Sequence, residues 1–303
     1  MVDARSTERG SAAARPRAMP RGRARPWPWR RQPRDAGARL TVRSVLAPKT
    51  EIPGALQAGL GILAGALVLG LWCWLTYGGI VRTDFLAPPH QVLLAGWKLA
   101  KSGTLFGHIR SSVTVILSGF LLASVFAVPL GILMGSFRVV EAFIEPITGF
   151  MRYLPVSAMI PLLILWIGIG IEQKIAVIFL GTFFQQLILI ADVSARVSKD
   201  LIDVSYTLGA TRRQVVTRVL FPACMPGVMD NLRVTMGWAW TYLVVAELVA
   251  ANSGLGYMIL NAMRGLFTDV IILGIVTIGI LGLITDQLFK VLRRWLLPWS
   301  ATF

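Results

Sequence analysis

Asp203-Val204-Ser205-Tyr206-Thr207-Leu208-Gly209-Ala210-Thr211-Arg212-Arg213-Gln214, running on through Val219-Leu220-Phe221-Pro222, is a polar, basic island between long apolar segments. Apolar or small residues at Leu201, Val204, Ser205 and Leu208 keep the i, i+3, i+4, i+7 spacing of one helical face. Gly209 offers the positive φ with which helices commonly end. Thr211 and Gln214 have the Thr-x-x-Gln spacing of a capping box, in which each side chain accepts from the other residue's backbone N–H. Val215, Val216, Val219 and Leu220 give the second helix an apolar face, and Pro222 and Pro226 predict its end. A helix, a glycine turn and a capped helix lying parallel to a membrane make a compact knob with a polar rim, a shape that fits a cleft on a partner.

The flanking segments decide what the knob is set in. Of the 303 residues, 55% are hydrophobic and 15% charged, against about 25% charged in an ordinary soluble domain. The apolar runs are continuous and lack the period-two alternation of a transmembrane barrel. The fold class is therefore an all-α integral membrane protein. Six spans are expected, at about 54–79, 113–135, 155–168, 174–191, 232–251 and 270–289. Pro129 is expected to bend the second span without breaking it. Val92, Leu93, Gly96, Trp97 and Ala100 predict a short amphipathic helix on the outer surface, and 139–154 an interfacial helix leading into the third span. Ile167-Gly168-Ile169-Gly170 reads as a turn.

The formal charge of +15 is concentrated before residue 50. That Arg-, Pro- and Ala-rich tail, 1–50, has no helical or strand period and is expected to be a disordered basic segment; 51–303 is the membrane domain. The tail lacks a folded nucleic-acid motif or interleaved stacking aromatics, so no nucleic-acid partner is expected. Basic residues Arg138, Arg196, Lys199, Arg212, Arg213, Arg218, Lys290, Arg293 and Arg294 fall on the tail's side of six spans. Arg82, Lys98, Lys101, Lys174 and Arg264 fall opposite. The bias places the tail and the knob in the cytoplasm. Cys73, Cys224, His90 and His108 have no ligand-spaced partners and read as structural. No G-x-x-x-x-G-K-[ST] loop is present, so the chain has no phosphate-loop ATP site, and no cofactor is expected in it.

The knob resembles the cytoplasmic "EAA" loop of ABC importer permeases. Asp203 stands at the acidic position, Val204 and Ser205 at the two alanines, Gly209 at the glycine, and Phe221-Pro222 at the downstream Leu-Pro. Leu86-Ala87-Pro88-Pro89, Arg152 with Pro155 and Pro161, Trp166 with Gly168-Ile169-Gly170, Val245-Ala246-Glu247-Leu248, Ser253-Gly254-Leu255-Gly256-Tyr257 and Leu297-Pro298-Trp299 are similar to the nitrate, sulfonate and taurine branch of type I importers. The resemblance implies a bacterial inner-membrane permease working with an ATPase pair that binds ATP and Mg. It also implies a second permease copy, membrane lipid around both, and a periplasmic or lipid-anchored solute-binding protein. By it, Asp203, Ser205, Leu208, Gly209, Thr211, Arg212, Arg213, Gln214 and Pro222 form the ATPase-coupling set. A secondary transporter or channel would share the spans but has no reason to carry the helix pair.

Arg152 and Glu247 are the ionisable residues expected at membrane depth, where charge is costly and faces a cavity or a partner. Two readings stand for each. Arg152 either offers an anionic solute a fork-shaped partner or bonds to carbonyls freed by Pro155. Glu247 either pins the loop 253–257 or belongs to an outer gate.

Overall fold

The structure, a computed structural model, describes residues 53–249 and 252–300. The basic tail expected at 1–50 lies outside them. The chain divides into two units, Met1–Ile62 and Leu63–Phe303. In the first, residues 54–62 open the helix α1 (Gly54–Tyr77) with exposed side chains. The second holds the rest of α1 and α2 (Pro89–Lys101), α3 (Thr104–Ser136), α4 (Arg138–Met151), α5 (Val156–Ile167), α6 (Ile171–Ala195) and α7 (Lys199–Thr207). It continues with α8 (Arg212–Gln214), a π-helical turn (Val215–Leu220), α9 (Phe221–Val249), α10 (Leu255–Arg264) and α11 (Thr268–Leu296).

Among the described residues, α1, α3, α6 and α11 are each long and apolar enough to cross a membrane. The third expected span takes another form. α5 has 12 residues, or about 18 Å at 1.5 Å per residue, against a hydrocarbon core of about 30 Å. Only the pair α4–α5 qualifies, bent by 94° at Arg152-Tyr153-Leu154-Pro155. Pro155 has φ −69° and ψ 112°, an extended conformation that ends one helix axis and starts another. α9 has the length of a span, 29 residues, but carries Asp230, Arg233 and Glu247. Glu247 is buried by neighbouring helices, while Asp230 and Arg233 are half-exposed and ion-paired to α11. Buried Thr235, Met236, Ala239, Trp240, Leu243, Ala246 and Glu247 run along its length.

Pro129, expected to leave its span unbroken, lies inside the continuous 33-residue α3. Pro222 and Pro226 do not end the second knob helix, correcting the expectation, because α8, the π turn and α9 run on as one coil. In the π turn Phe221 N–H reaches back five residues to Val216 O. The wider coil gives the Pro222 ring room where an α turn would press it on the carbonyl four residues before. The turn after α5 is as expected, with Gly168 at φ +91°. α2 splits its expected face: Val92 is buried and Gly96 sits against Leu273, while Leu93 and Trp97 are exposed.

The core is a seam between α3 and α6. Every fourth residue of α3 along it is small: Gly119, Ala123, Ala127, Gly131, Gly135. A Cβ added at Gly119 would lie 2.8 Å from Ile178 Cβ, at Gly131 2.9 Å from Ile190 Cβ, and at Gly135 2.1 Å from the Ala191 carbonyl oxygen. Lipid tails are as apolar as leucine, so helices in a membrane associate by close packing, and small residues at this spacing let two backbones touch. The seam is fastened at its knob end by Ser194, whose Oγ lies 2.7 Å from Ser136 Oγ and 3.0 Å from the Ile132 carbonyl.

Gly135→Val is expected to part the seam and cost roughly 1–3 kcal/mol or more, the range for overpacking. Gly237→Ala, where an added Cβ meets nothing within 4 Å, is expected to be neutral. Thermal unfolding of the two detergent-purified variants checks the contrast; equal midpoints would refute it.

Candidate functional site

The knob is built by backbone bonds that its residue types dictate. Ser198 caps α7, its Oγ accepting from Asp200 N–H at 3.2 Å. Gly209, at φ +83°, closes α7 in a two-bond glycine turn: its N–H donates to Tyr206 O at 2.9 Å and Ala210 N–H to Ser205 O at 3.0 Å. The capping box follows, with Gln214 N–H to Thr211 Oγ1 at 3.4 Å and Thr211 N–H to Gln214 Oε1 at 2.8 Å. The backbone N–H groups of 209, 210, 211 and 214 are thus satisfied locally, so the shape of the turn needs no partner.

What the knob presents differs from the expected face. Ile202 and Ser205 turn toward the chain, and Val215 and Leu220 are buried beneath the second helix. Leu201 and Val204 are exposed, and Leu208 is 82% exposed. The periodicity was that of an outward apolar face with Asp203 and Arg213 beside it, both exposed. Arg212 stacks its guanidinium 4.9 Å from the Phe137 ring centroid, tying the knob to the junction of α3 and α4. Pro222 is half-buried inside the continuous coil.

Arg152 caps α4 at the 94° break. Its Nη2 donates to the Tyr153 hydroxyl at 2.6 Å, and the guanidinium lies 4.6 Å from that ring's centroid. It does not bond to carbonyls freed by Pro155. It lines a cavity of about 300 Å³ together with Ser157 of α5, Gln185 of α6 and Thr241 and Tyr242 of α9. The lining offers one cation, hydroxyls and an amide, donors suited to an anion's oxygens.

Glu247 is elsewhere, fully buried at the end of α9 far from the knob. Its Oε1 accepts from Ser112 Oγ at 2.7 Å and its Oε2 from Gly256 N–H at 2.8 Å. Leu255 N–H donates to Ser112 Oγ at 2.8 Å, Gly254 N–H to His108 Nδ1 at 3.2 Å, and Lys174 Nζ to the Ser253 carbonyl at 3.3 Å. The pinning reading of Glu247 describes this geometry. Lys174, counted among outer-loop charges in the sequence, is instead buried in the first turn of α6. Ser112 escaped the sequence reading, and His108, read there as structural, could not be given its partner, because they stand 135 and 146 residues from Glu247 and Gly254, beyond any local spacing.

Residues 127–298 match the family of binding-protein-dependent transport system inner membrane components. A probable ABC transporter permease protein of Brucella abortus (strain 2308) is 39% identical over 242 residues, 80% of this chain and 96% of that protein. The taurine transport system permease protein TauC of Escherichia coli (strain K12) is 34% identical over 254 residues, 82% of this chain and 92% of that one. In fold, the chain is similar to an inward-facing structure of the MetNI methionine ABC transporter. The TM-score is 0.54 at 22% identity, covering 63% of this chain and 94% of that one.

Glu247→Ala removes the acceptor for Gly256 N–H and Ser112 Oγ and is expected to cost about 1–3 kcal/mol, the penalty of orphaned buried donors. Glu247→Gln keeps one acceptor oxygen and is expected to cost less. Thermal midpoints with hydrogen exchange at 253–257 measure both effects; a loop that exchanges no faster in Glu247→Ala would refute the pin.

Proposed function

The chain belongs to the family of binding-protein-dependent transport system inner membrane components, and from that premise we propose how this permease of an ATP-driven importer is coupled and what it carries. The observation that carries the reading is the outward apolar face of the knob, Leu208 at 82% exposed beside Leu201 and Val204, on a turn that holds its own shape. An exposed apolar patch rimmed by polar residues marks a protein contact. Its partner is an ATPase subunit on the cytoplasmic side, where the basic amino-terminal tail also lies. Two copies of the chain place two knobs on an ATPase pair. ATP binding draws the knobs together and hydrolysis releases them, alternating access to the path between the spans.

The solute is a small anion, and the taurine permease relative points to a sulfonate. Arg152 meets it in the cavity of about 300 Å³ with Ser157, Gln185, Thr241 and Tyr242 around it. Delivery is by a solute-binding protein at the far face, next to the loop that Glu247 holds. A secondary transporter fits less well, having no use for a capped, outward-facing helix pair.

Gly209→Pro cannot adopt φ +83°. It is expected to insert normally and to leave ATP hydrolysis by the assembled transporter running while uptake falls to background. Normal uptake would end the coupling reading. Arg152→Gln is expected to lower uptake of an anionic solute about tenfold, roughly 1.4 kcal/mol of lost stabilisation, with basal ATP hydrolysis intact. Unchanged uptake would remove Arg152 from the path.

A further inference from the structure

At the knob end, α9 and α11 enclose a second cavity, of about 500 Å³, lined by Arg233, Lys290, Arg293 and Arg294. Among the described residues, two carboxylates form ion pairs with these cations. Asp286 binds Arg233 Nε and, at 2.8 Å, Lys290 Nζ; Asp230 lies 2.6 Å from Arg293 Nη1. Arg294 is exposed and has no ion pair or hydrogen bond among the described residues. The cavity therefore keeps an excess of positive charge. Arg294 has its donor fork unused, and Lys290 has ammonium protons beyond the one facing Asp286.

The surroundings say what kind of anion fits. On α11, Ile280 and Leu283, 52% and 67% exposed, stand on the helical stripe that continues through Lys290 and Arg294, and Trp299 follows beyond the helix end, 61% exposed. These are side chains for acyl tails and for the interfacial level where tryptophan rings settle. A free phosphate would use the cations and ignore the apolar approach. A phospholipid uses both, with its phosphate on Arg294 and Lys290 and its chains along α11. We propose that this cavity is a binding site for the headgroup of an anionic phospholipid. Two of these ion pairs, Arg233–Asp286 and Arg293–Asp230, cross from α9 to α11, so an occupied site clamps the two helices at the base of the knob. The inference stands apart from the solute and coupling readings.

The test uses the full-length protein in detergent, with phosphatidylglycerol, phosphatidylcholine of the same chains, or inorganic phosphate added. Native mass spectrometry counts retained lipid, and thermal unfolding follows stabilisation. Phosphatidylglycerol is expected to be retained and to raise the midpoint, with phosphatidylcholine at least threefold weaker. Arg294→Gln, which breaks no ion pair, is expected to weaken phosphatidylglycerol binding severalfold at an unchanged lipid-free midpoint. Lys290→Gln with Arg294→Gln is expected to abolish the preference. Equal retention of the two lipids, full binding by the double variant, or the whole stabilisation from inorganic phosphate alone would overturn the proposal.

Discussion

The rest of the structure depends on the contact of two backbones in lipid. α3 and α6 gain nothing by hiding leucines from a solvent as apolar as leucine, so their association rests on approach distance. The small residues at 119, 123, 127, 131 and 135 supply that distance over four helical turns. Serines fasten α3: Ser136 meets Ser194 of α6 at the knob end, and Ser112 meets Glu247 of α9 and Leu255 of α10 at the far end. α9 packs on this pair, and the bent α4–α5 segment leans on the same helices. Moving either seam helix would disturb both the cavity and the far loop.

α9 joins the parts that transport must link. Because the π turn lets the coil pass Pro222, one helical path runs from the capping box at Thr211 to Glu247. On that path lie, in order, the knob, Asp230 and Arg233 with their partners on α11, the cavity residues Thr241 and Tyr242, and the carboxylate that holds the loop 253–257. A displacement at the knob reaches the cavity through a continuous helix, without a flexible joint. Had Pro222 ended the helix, as its residue type predicts, the knob would hang on a hinge and the force would be lost in it.

The legible features were local ones. The Gly209 turn and the Thr211–Gln214 box depend on residues three to five apart, and both formed as their spacing predicts. Of the six expected spans, the first, second, fourth and sixth were visible because lipid demands long apolar runs, and α1, α3, α6 and α11 match them. Three things were hidden. The third segment's bend depends on how α4 and α5 pack on α6. The outward turn of Leu201, Val204 and Leu208 could not be read, since periodicity defines a face but not what covers it. The network around Glu247 joins residues more than a hundred positions apart. The small-residue ladder of α3 was visible at a spacing of four, but a reading for apolar length alone passes over alanine and glycine.

The ionisable groups divide the membrane domain by what satisfies them. At the far end Glu247 is enclosed by donors from α3 and α10, so its carboxyl group is a fastening. At the knob end Asp230 and Asp286 are met by arginine and lysine across two helices, so their charges are struts, with cation to spare. Between these ends Arg152 borders a cavity and has only the neighbouring Tyr153 hydroxyl as a hydrogen-bond partner among the described residues. A guanidinium carries five donors, and a group so sparsely bonded at the break of a membrane segment keeps its capacity for something that comes and goes. Fastenings are used up within the fold; Arg152, like Arg294 at the knob end, keeps donors that no partner among the described residues takes.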